Sequence, residues 1–347
     1  MKKYKSIFLL IVILSIAAFA VGCGENKPKL NVYNWGDYID TEVLDQFEEE
    51  YGIKVVYDTF ATNEDLYVKL KQGGSSYDVI FPSDYMIERM IREDLLVKID
   101  RNNIPNLDKI GEQFLNLSYD PTNDYSVPYM WGTVGIIYNK TMVDEELDSW
   151  ADLWNEKYED QIIMLNSQRD SLAVALKKLG YSLNSRNENE LEEAKAELIK
   201  QKPLVYAYMG DEVKEAMISG EAAIAVVWSG DAVYMKWENP DLEYVIPEEG
   251  TNLWFDSMVI PKNSQNKEAA EKFIDFMTRP DIAAKNVEYI GYSSPVPEAV
   301  ELLDEETQND PVAYPSEEDI ENTEVFNDPA DIIQTYDRIW TEITSEE

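Results

Sequence analysis

Apolar and polar residues alternate over Leu30-Asn31-Val32-Tyr33-Asn34-Trp35, the period of two that a half-buried strand requires. The period then changes. Behind Asp40, the residues Val43, Leu44, Phe47 and Tyr51 recur at three- and four-residue intervals on one face of a helix that Gly52 closes. Residues 54–57 read as a second strand, Asn63 as the cap of a helix running to Lys71, and residues 77–81 as a third strand stopped by Pro82. Strand and helix alternating in this way predict a mainly parallel sheet with helices on its faces. A similar rhythm returns with strands at 162–165, 204–208 and 222–228 and helices at 171–179, 190–201 and 211–219. Between the two runs lies 127–138, and beyond the second lies 253–260. Both are apolar and β-rich, as crossover strands are, and neither resembles a Gly/Ser linker. No internal repeat is visible in the sequence. The fold class is α/β, and the roughly 320 residues after Cys23 exceed what one core usually serves, so two lobes are expected.

The N-terminal pattern is different. Met1-Lys2-Lys3-Tyr4-Lys5 is basic and leads into the apolar stretch 7–21, after which Gly24-Glu25-Asn26-Lys27 turns polar. That is the layout of a secretory signal peptide. About fifteen residues fall short of the roughly 20 that a spanning helix needs. Ala20-Val21-Gly22-Cys23 resembles the bacterial lipobox, with Ala20 where Leu is commoner. The expectation is a signal peptide over 1–22, a lipidated linker over 23–28, and a protein anchored through Cys23 to the outer, extracytoplasmic face of the cell membrane. The bland alternative for Cys23 is a small buried thiol.

Composition narrows the chemistry. Cys23 is the only cysteine and the chain has no histidine, so disulfides, Cys nucleophiles, zinc sites and Ser-His-Asp catalysis all lack their usual residues. No catalytic residue, metal or cofactor is expected, although catalysis by carboxylates alone stays open. Acidic residues number 68 against 30 basic ones. Without the three lysines of residues 1–22 the formal charge is near −41, which makes nucleic acid an improbable partner. Solubility is the main reading of so many acids, with attraction of small cations a secondary effect.

In open α/β sheets ligands bind at the carboxyl ends of the strands. The residues at those ends are Trp35-Gly36-Asp37-Tyr38, Ser83-Asp84-Tyr85, Asn166-Ser167-Gln168-Arg169-Asp170 and Trp228-Ser229-Gly230-Asp231. Leu253-Trp254-Phe255-Asp256 stands near the second crossover, and Gly291-Tyr292-Ser293-Ser294-Pro295 follows a late helix. Aromatics paired with acids recur. Singly, such aromatics pack against helices, and Asp170 and Asp231 fit the role of helix caps. Taken together they suit a ligand with positive ends and an apolar middle. A sugar site also combines aromatics with acids and amides.

At these residues the chain resembles the spermidine/putrescine-binding proteins that serve polyamine ABC importers. These are two-lobed solute-binding proteins of the type II periplasmic-binding-protein fold, with the ligand cleft between the lobes. The resemblance rests on 32–38, 77–85, 127–132, 149–154, 228–231 and 290–292, taken in order and spacing. It implies that Trp35, Tyr38, Tyr85, Trp228, Trp254 and Tyr292 box a methylene chain, that Ser83 offers a polar contact, and that Asp256 holds one amine. It further implies that Asp170 stands where spermidine binders carry Glu, and that Asp231 matches an acid of the putrescine-preferring branch. Ser167, Gly210 and Phe326 depart from the spermidine pattern, so putrescine, spermidine or both are the implied ligands. The implied lobes are 29–135 plus 257–300 and 136–256 plus 301–347. The implied partners are the polyamine, the membrane subunits of the importer and, through the lipid on Cys23, the membrane. A monomer is expected. Two alternatives stay open: the same receptor fold holding another small cation, an amino acid or a sugar, and a surface glycosidase using two carboxylates such as Asp170 and Asp256.

Overall fold

A computed structural model describes residues 27–73 and 76–345. Cys23 and the expected signal peptide lie outside them. The first α/β run comprises β1 (Lys29–Asn34), α1 (Thr41–Tyr51), β2 (Lys54–Thr59), α2 (Asn63–Lys71), β3 (Val79–Ile80) and α3 (Asp84–Arg92). A long strand, β4 (Ser126–Asn139), leads to the second run. That run comprises β5 (Ile162–Leu165), α4 (Gln168–Lys178), α5 (Glu188–Gln201), β6 (Val205–Met209), α6 (Val213–Ser219), β7 (Ile224–Trp228) and α7 (Ser229–Glu238). There follow β8 (Leu242–Val245), β9 (Leu253–Val259), α8 (Lys267–Met277), α9 (Pro280–Ile290) and, near the C-terminus, α10 (Ile333–Ser345).

Local signals explain several boundaries. The Asp40 carboxylate accepts the Glu42 amide at 2.9 Å and starts α1, Val43, Leu44 and Phe47 are buried, and Gly52 ends the helix at φ 66°. Asn63 does not cap α2 as expected. Thr62 does, accepting the Asp65 amide at 3.1 Å, which frees the Asn63 side chain for a tertiary role. The third strand is also shorter than expected, because Asp78 leaves the regular ladder. Its amide donates to Asn31 O at 2.7 Å while its carboxylate accepts the Asn31 amide at 2.9 Å.

The strands run in the order β2-β1-β3-β9-β4-β7-β5-β6, with β8 beside β4. β2, β1 and β3 are parallel, and β9 lies antiparallel to β3 and to the first half of β4. β6, β5 and β7 are parallel in turn, and the second half of β4 lies antiparallel to β7 and β8. Each half therefore repeats one plan: three parallel strands in the order outer, first, third, then an antiparallel strand arriving from the other half. β4 passes between the halves near Thr133 and Val134, and all fourteen of its residues are buried. This is the two-lobed α/β architecture, with the carboxyl ends of both parallel groups turned toward the junction.

Candidate ligand-binding site

At that junction the structure brings most of the sequence-selected residues together. Tyr38, in the turn after β1, and Tyr292, just past α9, meet edge-to-face with ring centroids 5.3 Å apart. Trp254, at the start of β9, meets Tyr292 in the same manner at 5.3 Å, and its indole donates to Thr133 O at 3.3 Å. All three rings are buried. The Tyr292 ring lies directly on the backbone of Gly230, where a Cβ would fall 2.2 Å from it.

Three carboxyl groups adjoin these rings. Asp256 stands two residues after Trp254 on β9 and forms an isolated bridge with Ser83. Burial pushes its pKa up to about 7, opposed by Ser83 and Tyr38 and reinforced by Asp170. The Tyr38 hydroxyl is close enough to influence that carboxyl but forms no well-aligned hydrogen bond. Asp170 lies in the first turn of α4, where burial pushes its pKa up to about 6. Asp231 lies in the first turn of α7, where burial pushes its pKa up to about 6 against the pull of Lys214. Neither is a helix cap, the alternative role that their places in the sequence allowed. Ser167 caps α4 and donates to Asp170 Oδ2 at 2.6 Å, while α7 follows Trp228 with no side-chain cap.

Tyr85 and Ser83 are tied together by Asn63. Its amide donates to Ser83 Oγ and to the Tyr85 hydroxyl, both at 3.1 Å, and accepts the Ser83 amide at 3.2 Å. The run of ring contacts does not extend, among the described residues, to Trp35 or Trp228, which are half-buried and packed against the core. The Trp35 indole donates to Phe81 O at 2.8 Å.

Sequence reasoning missed four supporting residues. Asn63 was read as a cap. Asp84 is fully buried and accepts the amides of Tyr85 at 2.6 Å and Phe255 at 3.0 Å, pinning α3 to β9 beside Asp256. Arg169 is buried with its guanidinium 4.3 Å from the Phe326 ring and 5.2 Å from Tyr85. Lys214 stands 3.7 Å from Asp231 Oδ1. Asp84 and Arg169 were visible in the strand-end motifs, but nothing local distinguished them from a helix-start acid and a surface cation.

Several unpartnered polar atoms gather at this junction. Tyr38 OH, Asp170 Oδ1, Asn252 Oδ1, Asp231 Oδ2 and Asp256 Oδ1 are all buried without a hydrogen-bond partner. A buried polar atom left so costs about 1–3 kcal/mol, and more when charged. Four of the five can only accept hydrogen bonds when the acids are ionised, so what satisfies them is a donor, and a cationic one above all. A surface hollow of about 500 Å³ lies elsewhere, beside Lys177, Tyr181, Ser182 and Glu324. There Lys177 pairs with Glu324 at 3.1 Å, and Lys178 with Glu197 at 2.6 Å. Among the described residues no cluster of acids is arranged to hold a metal ion, and no helix is long and apolar enough to cross a membrane.

Comparison with known proteins agrees with this architecture. The family model for bacterial extracellular solute-binding proteins matches residues 42–315. The spermidine/putrescine-binding periplasmic protein of Escherichia coli is 37% identical over 345 residues, covering 99% of both chains. A solved structure from Listeria monocytogenes, described in terms of spermidine/putrescine ABC transport, is 44% identical with a TM-score of 0.89, covering 91% of this chain and 99% of its own. The spermidine/putrescine ABC transporter substrate-binding protein PotD of Streptococcus pneumoniae, solved with calcium and HEPES, is 47% identical with a TM-score of 0.80, covering 91% of this chain and 98% of its own. With its two lobes, their shared junction and these matches over most of its length, the chain belongs to the bacterial extracellular solute-binding proteins.

Proposed function

We propose that this protein is an extracytoplasmic receptor that captures a polyamine, putrescine or spermidine or both, and delivers it to the membrane subunits of an ABC importer. The observation that carries the reading is the set of buried, unpartnered carboxylate oxygens of Asp170, Asp231 and Asp256 beside a wall of aromatic rings. The names of the relatives support it. In this reading Asp256 holds one ammonium, Asp170 and Asp231 serve the ends, Ser83 makes a polar contact, and Trp35, Tyr38, Tyr85, Trp228, Trp254 and Tyr292 cover the methylenes. An ammonium about 4 Å from a carboxylate gains roughly 4 kcal/mol at an effective dielectric near 20, before desolvation. A nearby aromatic face adds about 0.5–2 kcal/mol. Micromolar binding needs only about −8 kcal/mol in total, so two such ends suffice.

The lobes are taken as 29–135 plus 257–300 and 136–256 plus 301–347, closing on the ligand so that the closed shape is what the importer reads. The named relatives are solute-binding receptors, and the same role, without chemistry on the ligand, is assigned here. The protein acts as a monomer held at the membrane by a lipid on Cys23. Membrane retention lost in Cys23→Ala supports the anchor, whereas unchanged retention contradicts it. A thermal-shift panel of putrescine, cadaverine, spermidine, spermine, amino acids and sugars tests the ligand class. Stabilisation by the amines alone is expected, and stabilisation by a sugar or a neutral amino acid alone would replace this reading with another ligand for the same fold.

A further inference from the structure

Asp170 lies on one face of α4 with Val174 and Lys177, at the four- and three-residue spacing of successive helical turns. Together with Trp150, Thr251 and Asn252, these residues line a small cavity of about 10 Å³. Asn252 meets it from the approach to β9. It stands two residues before Trp254 and four before Asp256, the spacing that extended backbone places on one face. Its backbone is held from two sides: its carbonyl accepts the Val134 amide at 3.2 Å, and it forms an isolated bridge with Glu324.

Two acceptors belong to side chains on this cavity. Asp170 is 7% exposed and Asn252 4%, and neither Oδ1 has a hydrogen-bond partner. The strong donors beside them are engaged elsewhere. The Lys177 ammonium pairs with Glu324 at 3.1 Å, and the Trp150 indole donates to Gly250 O at 2.9 Å. A cavity of about 10–15 Å³ holds one water, which needs two to four polar partners. Thr251, also buried, brings to the same cavity a hydroxyl that can donate to such a water. Burial raises the pKa of Asp170, and Ser167, Arg169 and Asn252 each oppose it, so the Asn252 side chain is close enough to favour the ionised carboxylate.

We infer that this cavity binds one water joining Asn252 to Asp170, which makes Asn252 a positioning residue for the Asp170 carboxylate. The inference rests on the polyamine reading above. A carboxylate offers about four acceptor sites. The Ser167 hydroxyl takes one on Oδ2 at 2.6 Å and the water takes one on Oδ1, so each oxygen keeps a site for a ligand ammonium. With both oxygens tied, the carboxylate is oriented before the ligand arrives, and less freedom is lost on binding. Asn252 acts through Asp170 and does not itself touch the ligand.

The test pairs a high-resolution crystal structure with a double-mutant cycle. In wild type, density is expected for a water within hydrogen-bond distance of both Asp170 Oδ1 and Asn252 Oδ1; density without such a water overturns the inference. Calorimetric titration of putrescine and spermidine then compares Asn252→Leu and Asn252→Ser, each with Asp170 retained and with Asp170→Asn. Leu fills a similar volume with no polar atom, and Ser keeps a hydroxyl for the water. Asn252→Leu is expected to weaken both amines about tenfold when Asp170 is present and less than about twofold in Asp170→Asn, while Asn252→Ser stays within about threefold of wild type. Should Asn252→Leu prove unstable by its melting temperature, Asn252→Val carries the same expectation. An equal loss in both backgrounds, or a loss in Asn252→Ser as large as in Asn252→Leu, overturns the inference while leaving the receptor reading intact. Failure of wild type to bind either amine overturns the receptor reading and this inference with it.

Discussion

Replacing Asp256 by Asn should move stability and affinity in opposite directions. The substitution keeps the shape of the side chain and removes its charge beside the aromatic rings of the junction. In the ligand-free protein the carboxyl is 5% exposed, its Oδ1 has no partner, and burial lifts its pKa from 3.8 to about 7. Keeping that group ionised while folded therefore costs about 4 kcal/mol at a pH above 7, and Asn removes this burden apart from the need of its own amide for partners. With ligand bound the balance reverses. Truncating one partner of a buried charge pair costs about 2–5 kcal/mol, which is roughly 30-fold to several-thousand-fold in Kd. Calorimetric titration and thermal melting of Asp256→Asn, wild type and the exposed-site control Glu318→Gln measure both effects. Asp256→Asn should melt higher than wild type without ligand and bind polyamine at least about 30-fold more weakly, with Glu318→Gln near wild type because an exposed acid acts only through screened water. A loss in Asp256→Asn no larger than in Glu318→Gln would mean that overall negative charge, and not this carboxylate, holds the ligand, and the reasoning would fail.

Three further outcomes follow from the same geometry. Asp170 and Asp231 titrate near about 6 and Asp256 near about 7, all above the ordinary 3.8, so between these values the folded protein holds more protons than the unfolded chain. Stability of the ligand-free protein should therefore fall as pH rises from about 5 to 8, with a shallower slope in Asp256→Asn. The lowered acids Asp58 and Glu93 act in the opposite sense only at lower pH, and a melting temperature that climbs across this window would refute the assignment. Gly230→Ala places a Cβ 2.2 Å from the Tyr292 ring; although Ala favours the helix by about 1 kcal/mol, affinity should drop about tenfold or more, and unchanged binding by titration would show that Tyr292 does not need that seat. Asn63→Ala removes the brace between Ser83 and Tyr85 and should lower both the melting temperature and affinity, by about 1–3 kcal/mol of stability, as read by thermal melting and titration; wild-type values would reduce the brace to a bystander.

What was legible in the sequence is what local physics determines. The face of Val43, Leu44 and Phe47 between Asp40 and Gly52 specified α1, because period and caps agree. The fully buried β4 read as an apolar crossover because neither of its faces meets water. That acids and aromatics gather at the junction was legible because the carboxyl ends of parallel strands converge wherever the sheet is built this way. What failed was tertiary. Thr62 and Asn63 are both good caps, and the choice between them depends on Ser83 and Tyr85, some twenty residues away. The strand expected at 77–81 was shortened by the Asp78 side chain standing in for ladder bonds. The repeated strand order of the two halves left no repeat in the sequence, since many side chains satisfy one topology. Lys214 carried no local mark at all. A lysine in a first helical turn reads as surface until the turn after β1 and the start of α7 are seen beside it.

The central claim is that the buried carboxylates and rings at the junction hold a polyamine. Calorimetric titration of protein refolded free of ligand, with putrescine and spermidine as separate titrants, tests it most directly. The account predicts one site per chain with a Kd at or below the micromolar range for at least one of the two, consistent with about −8 kcal/mol or better. Binding of neither amine below the millimolar range, about −4 kcal/mol, would contradict it.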